Sequence, residues 1–352
     1  MLPFLSEYLM LSDEPAVLVR GGRVSLLNGS AEALLGGGCV GRSVRQLFGE
    51  EVAGMQAPNF LACVTIGGKP RTVRASRLEG HQLFFLSREE KDLSVVNDAS
   101  LAAMRNSLMN LGLCADRGRR RAEALGDTEL DACFSALTKQ YYLLKRVVEN
   151  TAVVYAMLRG DLAASFAPTD LAALCRSTVQ TLTLLLPGVT FRINAPDQLS
   201  LHADGKLIET LLLNLLANSL LHAEGRSTIS VSLTSSGQSA LLSVSDDGCG
   251  IPPEQMHMVF SRYRGGYDAA SLPAGSGLGL SVVRGIAEKH GGTLLLESRV
   301  GQGTAVRVSF SRDLGGARLH GPVPEWPCEM DALLTGLAGC LPDECFGAKY
   351  MD

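Results

Sequence analysis

The sequence predicts an α+β multidomain chain: a small α/β unit over residues 1–90, a helical hairpin over 91–160, an α/β sandwich over 161–312 and a tail over 313–352. Three observations carry this prediction. Residues 12–88 alternate short apolar runs with turn residues, residues 91–160 hold apolar positions at helical spacing with few Gly or Pro, and residues 204–292 set a leucine-rich helix, an alternating strand and a glycine loop in succession. With 352 residues, 46% of them hydrophobic, the chain has length for more than one core.

In the first unit AVLVR and RVSLLN read as strands joined by a Gly-Gly turn, AEALL and VRQLF as helical segments, and FLACVTI, RTVRASRL and QLFFLS as an antiparallel hairpin or meander. The run AVLVRGGRVSLLNGSAEALLG with VGRSVRQLFG resembles the opening of a PAS sensor domain. Such a unit implies small-ligand sensing or dimerisation. No residue in it proposes a cofactor, and Cys39 and His81 read as structural or exposed residues.

In the second unit Leu101, Met104, Leu108 and Leu111 follow a 3,4,3 spacing, and Phe134, Leu137, Tyr141, Leu144, Val148, Thr151, Tyr155 and Leu158 extend the seam on a second helix. Two such hairpins bury their stripes by pairing, so a homodimer with a four-helix bundle is the expectation. Arg117, Arg119, Arg120 and Arg121 read as a solvated helix end that complements the helix dipole.

Three segments of the third unit carry the chemistry. In LLLNLLANSLLHA, Asn214 and Asn218 share one face of an otherwise apolar helix and need partners. In SVSDDGCGIPP, a strand ends at Asp246, followed by a turn in which Gly248 and Gly250 allow close backbone approach. In AGSGLGLSVVRGIAEKHGG, a loop through Gly275, Gly277, Leu278 and Gly279 runs into an amphipathic helix, and backbone amides at such a helix start suit phosphate. Singly, each also reads as ordinary structure: a polar seam, a strand-end turn, a flexible loop. Their order favours a nucleotide site, and no GxxxxGK[ST] marks it as a P-loop.

The three segments resemble the N, G1 and G2 boxes of the Bergerat-type ATP-binding domain of sensor histidine kinases, and VFSRYRGG, with Phe260 and Tyr263, resembles the F box. The resemblance implies that Asn218 ligates Mg²⁺ with Asn214 in support, and that Asp246 binds the adenine amino group in a pocket shaped by Gly248 and Gly250. It further implies that Gly275, Gly277 and Gly279 cradle the phosphates of ATP, and that residues 262–274 form a mobile lid. A gyrase- or chaperone-like ATPase fits less well, because Asn214 stands where those proteins carry a catalytic Glu.

In the same family the hairpin carries a phosphoacceptor histidine. Anchoring LAAMRNSL on Arg105 and Leu108 puts Ala102 at that position and Ala103 at the neighbouring acidic one, and none of the six histidines lies in the hairpin. Asn106, one helical turn beyond Ala102, matches the position that orients water when such proteins dephosphorylate a response regulator; it reads equally as an exposed helix residue. The expectation is therefore a histidine kinase-like transferase of two-component signalling that binds Mg-ATP and whose autophosphorylation is in doubt. The alternative is an ATP-binding pseudokinase or a response-regulator phosphatase. A response regulator or a partner kinase is the expected partner.

A formal charge of −4 gives no general attraction to nucleic acid, and nine scattered cysteines without CxxC spacing read as reduced thiols. No apolar run approaches the ~20 residues of a membrane span, so a cytoplasmic protein is expected. In the tail MDALLTGLAGCL reads as an amphipathic helix docking on the ATP-binding unit or on a partner, and GPVPEWP as a linker.

Overall fold

The computed structural model describes residues 9, 10, 12, 14–55, 59–67, 69–78, 81–86, 98–222, 228–236, 239–256, 277–311 and 329–347. Strands β1 (Ala16–Arg20), β2 (Arg23–Leu27), β3 (Asn59–Ile66), β4 (Lys69–Leu78) and β5 (His81–Leu86) pair antiparallel in the order β2-β1-β5-β4-β3. Alternation along these strands turns Val17, Val19, Val73, Ala75, Phe84 and Leu86 into one core with Val44, Phe48 and Val52. These last three come from the short helices α2 (Val44–Phe48) and α3 (Glu50–Gly54), which follow α1 (Gly29–Leu35). Buried Asn28 caps α1 by accepting from Ala31 N–H, and its amide donates to the Ser12 and Glu14 carbonyls. Cys39 is buried with its thiol on the Gly36 carbonyl, a structural residue as expected.

Helices α4 (Asp98–Leu125) and α5 (Thr128–Arg159) form the hairpin, turning at Gly126 (φ 65°) with Asp127 capping α5. On α4 the buried residues Leu101, Leu108, Ala115 and Ala122 recur every seven positions, one half of the predicted seam. The other half departs from expectation. Met104 and Leu111 stay 50% and 52% exposed, and Leu137, Leu144 and Leu158 of α5 are 48%, 51% and 42% exposed. The reason is that α5 spends its buried stripe, Ser135, Thr138, Tyr142, Arg146, Asn150 and Val154, on neighbours from the C-terminal half. Gly118 is needed for packing, since a Cβ there would lie 2.1 Å from the Phe134 ring.

The C-terminal half holds a two-stranded ladder of β6 (Ala167–Asp170) with β8 (Ser200–Ala203), so the predicted strand LSLHAD stands apart from the main sheet. That sheet has the order β11-β12-β10-β9-β7, with β7 (Thr190–Asn194), β9 (Thr228–Ser236), β10 (Ser239–Asp246), β11 (Leu294–Arg299) and β12 (Gly303–Ser311). Only β7 and β9 pair in parallel. Helices α6 (Leu171–Leu185), α7 (Gly205–Leu221) and α9 (Gly279–Lys289) pack on the sheet, and the single turn α8 (Pro253–Met256) follows β10. Asp170 and Asp204 cap α6 and α7.

Two further contacts organise the molecule. The edge of β11 pairs antiparallel with β3, Leu294 opposite Cys63 through Glu297 opposite Phe60, which makes one ten-stranded sheet. Leu61 enters the C-terminal core and Leu295 the N-terminal one. An open strand edge is a template for exactly this kind of pairing in kind, a row of free N–H and C=O groups meeting another. The tail packs α10 (Met330–Leu337) and the 3₁₀ turn Asp343–Phe346 on α7 and α5, burying Leu333, Leu334, Leu337, Leu341 and Phe346. Asp331 pairs with Lys145 at 2.6 Å and accepts from the Tyr142 hydroxyl at 3.2 Å. Among the described residues no helix is long and apolar enough to cross a membrane.

Candidate nucleotide site

Helix α7 is leucine-rich on all sides and sandwiched between the sheet and α5, α9 and α10, so its polar residues must find partners inside the protein. Asn214 is 2% exposed. Its Oδ1 accepts from Asn150 Nδ2 at 3.2 Å and from Arg146 Nη2 at 3.4 Å, while its Nδ2 donates to the Thr210 carbonyl at 2.9 Å. Asn218, one turn on, is half-buried, and its side chain makes no hydrogen bond among the described residues. The start of α9 faces both amides: a Cβ on Gly279 would lie 3.1 Å from Asn214 Oδ1 and 3.6 Å from Asn218 Oδ1. Among the described residues no side chain caps α9, so the N–H groups of its first turn suit an anion. Gly277 precedes it at φ 66°, and Leu278 is buried beneath.

Asp246 ends β10 beside the C-terminal turns of α7. Its Oδ1 accepts from Gly248 N at 3.1 Å and Thr304 N at 3.2 Å, and its Oδ2 from Ser219 Oγ at 2.9 Å. A carboxylate offers about four lone-pair positions. Three are committed to holding the group still, which leaves one for an amino group of a base.

The glycines of this turn also meet the protein's own backbone. A Cβ on Gly248 would lie 2.4 Å from the His222 carbonyl, and one on Gly250 (φ 70°) 2.1 Å from the Arg299 carbonyl. That close approach presses the turn onto the end of α7 and onto the β11–β12 turn. Phe260, Tyr263, Gly275 and the segment 262–274 lie outside the described residues.

His290 is a buried structural residue, as expected. Nδ1–H donates to the Ile286 carbonyl at 2.8 Å and Nε2 accepts from Asp204 N–H at 3.1 Å, and burial pushes its pKa below the ordinary value. His202 stacks on Phe166. Asn106 is not brought to this site: it lies with Ala102 and Ala103 on an exposed stretch of α4.

Sequence reasoning missed Arg146, Asn150, Ser219 and Thr304. The readable signal for the first two was their spacing, four apart in RVVEN, one polar pair on a single face of an apolar helix. Arg146 is 8% exposed, and burial lowers its pKa. Near it, burial pushes the Cys340 thiol up to about 11, so that it is uncharged at neutral pH.

Residues 203–314 match the family described as histidine kinase-, DNA gyrase B-, and HSP90-like ATPase. The chain is 37% identical over 132 residues to the sensor protein KdpD of Escherichia coli K12, covering 37% of this chain and 15% of that protein. It is 32% identical over 190 residues to the sensor histidine kinase YkoH of Bacillus subtilis 168, covering 54% of this chain and 41% of that one. The chain thus spans less than half the length of these relatives. Among solved structures, full-length ShkA in complex with AMPPNP superposes with a TM-score of 0.50 at 20% identity, over 62% of this chain and 47% of that one.

Proposed function

We propose, from the match of residues 203–314 to the histidine kinase-, DNA gyrase B- and HSP90-like ATPase family and from the likeness to sensor histidine kinases, that the chain is a Mg-ATP-binding protein of two-component signalling whose own hairpin carries no phosphoacceptor. The observation that supports this best is the placement around the C-terminal turns of α7 of Asp246 with a spare acceptor position, the Asn218 amide and the start of α9, the last two without a hydrogen-bonding side chain among the described residues. In this reading Asp246 accepts from the adenine amino group, and backbone N–H groups from Gly277 to Gly279 hold phosphate. The amide oxygen of Asn218 is a hard donor suited to Mg²⁺, with Asn214 behind it. Phe260 and Gly275 complete the motifs by sequence. The bound nucleotide supplies a transferable phosphoryl group.

Ala102 replaces the acceptor and Ala103 the neighbouring base, and no other histidine lies between residues 98 and 159. A phosphoryl group must therefore go to a partner or stay on the nucleotide. The proposed partners are a response regulator or a histidine-bearing kinase, which places the chain in the cytoplasm with them. Residues 1–90 serve as the sensor, 91–160 as the dimerisation hairpin, 161–312 as the ATP-binding domain and 313–352 as a tail docked on it. One feature favours a second reading: Asn106 is exposed one turn from Ala102, where it can orient water for dephosphorylating a regulator's phosphoaspartate.

Calorimetric titration with ATP tests the site. Saturable binding that requires Mg²⁺ is expected, and Asn218→Ala weakens it by at least about tenfold, the scale of losing a metal-site group. Equal affinity in the variant refutes the assignment.

A further inference from the structure

Arg146 is a buried cation on the hairpin that meets Asn214 of α7 from outside the ATPase domain's own motifs. Its Nη2 lies 3.4 Å from Asn214 Oδ1, a long bond to a neutral acceptor, and no ion pair joins it to a carboxylate among the described residues. A guanidinium this buried is costly unless an anion offsets its lost hydration. The oxygen it touches is 3.1 Å from the Cβ position of Gly279, so one side chain separates the guanidinium from the N–H groups at the start of α9. A phosphate at the start of α9 would meet a helix N-terminus and, past the edge of the Asn214 amide, a rigid five-donor fork.

We propose that Arg146 reads the terminal phosphate of a nucleoside triphosphate bound at α7 and α9, so that the hairpin itself distinguishes a triphosphate from a diphosphate. The proposal rests on the nucleotide reading of that cleft. The helix that carries Arg146 is fixed at three points. Asn150, one turn along α5, exchanges two hydrogen bonds with Asn214 at 3.2 and 3.4 Å. Further along, Met157 packs so closely on α9 that a Cβ on Gly285 would lie 1.8 Å from its sulfur, and on the other side Tyr142 bonds Asp331 of α10. These contacts set α5 against α7, α9 and α10 and so place the Arg146 backbone before any ligand arrives, which lowers the ordering cost of contact. A purely structural Arg146, serving only to orient Asn214, would affect all nucleotides alike.

The test is equilibrium binding of Mg-ATP and Mg-ADP to the full chain in the wild type, Arg146→Gln and Arg146→Lys. The expected result is a loss of about tenfold or more in ATP affinity for Arg146→Gln, the size of a hydrogen bond to a charged group, with ADP affinity changed less than about threefold and Arg146→Lys intermediate for ATP. Melting without nucleotide reports whether Arg146→Gln folds; if it does not, Arg146→Lys is read by the same ratio. Equal losses for both nucleotides, no loss, or tighter ATP binding overturns the proposal. A wild type that binds neither nucleotide overturns the nucleotide reading and the proposal together, whereas a wild type that binds both, with the ratio unmoved in the variants, overturns the role of Arg146 alone.

Discussion

At His290 the two ring nitrogens are committed in opposite senses, Nδ1–H to the Ile286 carbonyl and Nε2 to the Asp204 N–H, with Phe166 and Phe310 against the ring. Only the neutral Nδ1–H tautomer satisfies both partners. The unfolded chain takes up a proton as pH falls through about 6.5, whereas the folded chain does so only at lower pH, because burial depresses this group. The contribution to stability is therefore complete above the unfolded pKa and is lost as pH falls from there toward the folded one. Melting temperatures measured between about pH 8 and 5 should decline below about 6.5, and His290→Gln should flatten that decline; an unchanged slope in the variant contradicts the account. That β10 ends at Asp246 was legible in the sequence. The role of Arg146 was not, because it depends on an acceptor 68 positions away that only the fold brings near.

The hairpin was legible as two helices because apolar spacing and the break at Gly126 are local signals. What covers each face was not. Heptad-spaced Leu101, Leu108, Ala115 and Ala122 are buried within the chain, while Met104, Leu111 and Leu125 on α4, with Leu137, Leu144 and Leu158 on α5, remain exposed at the matching heptad positions. Scattered exposed apolar side chains mean little, but a line at this spacing calls for a partner, and a second copy offers the same line. Sedimentation equilibrium at micromolar concentration should give a dimer. Leu137→Ser with Leu144→Ser removes four leucines from a symmetric pair at on the order of 1 kcal/mol each, which weakens association by roughly a thousandfold; a monomeric wild type contradicts this. Among the strands, the alternating segments and the β11–β12 hairpin were readable because period two is a direct record of one buried face. The tail helix was readable as amphipathic, yet its seat on α7 and α5 was left open, since an apolar stripe does not name its cover.

Across the whole molecule the largest departure from the sequence reading is the join of two sheets into one. Pairing between β3 and β11 links strands far apart in the chain, and no local pattern specifies the register of two edges that meet. The join sets the N-terminal unit against the strand that follows α9, and Arg284 of α9 also donates to Thr72 Oγ1 of β4 at 3.2 Å. The N-terminal unit thus touches the nucleotide-binding half directly as well as through the hairpin. The hairpin in turn reaches Asn214 with Asn150 and Arg146, and in the proposed reading it carries Ala102 where a phosphoryl group would be received. The central claim is that this chain engages ATP without phosphorylating itself. Its most direct test is incubation of the purified protein with Mg²⁺ and γ-labelled ATP, with nucleotide binding verified in the same preparation and any retained label mapped by peptide. Bound nucleotide with no acid-labile label on the chain is the predicted result; phosphohistidine on any of its peptides contradicts the account.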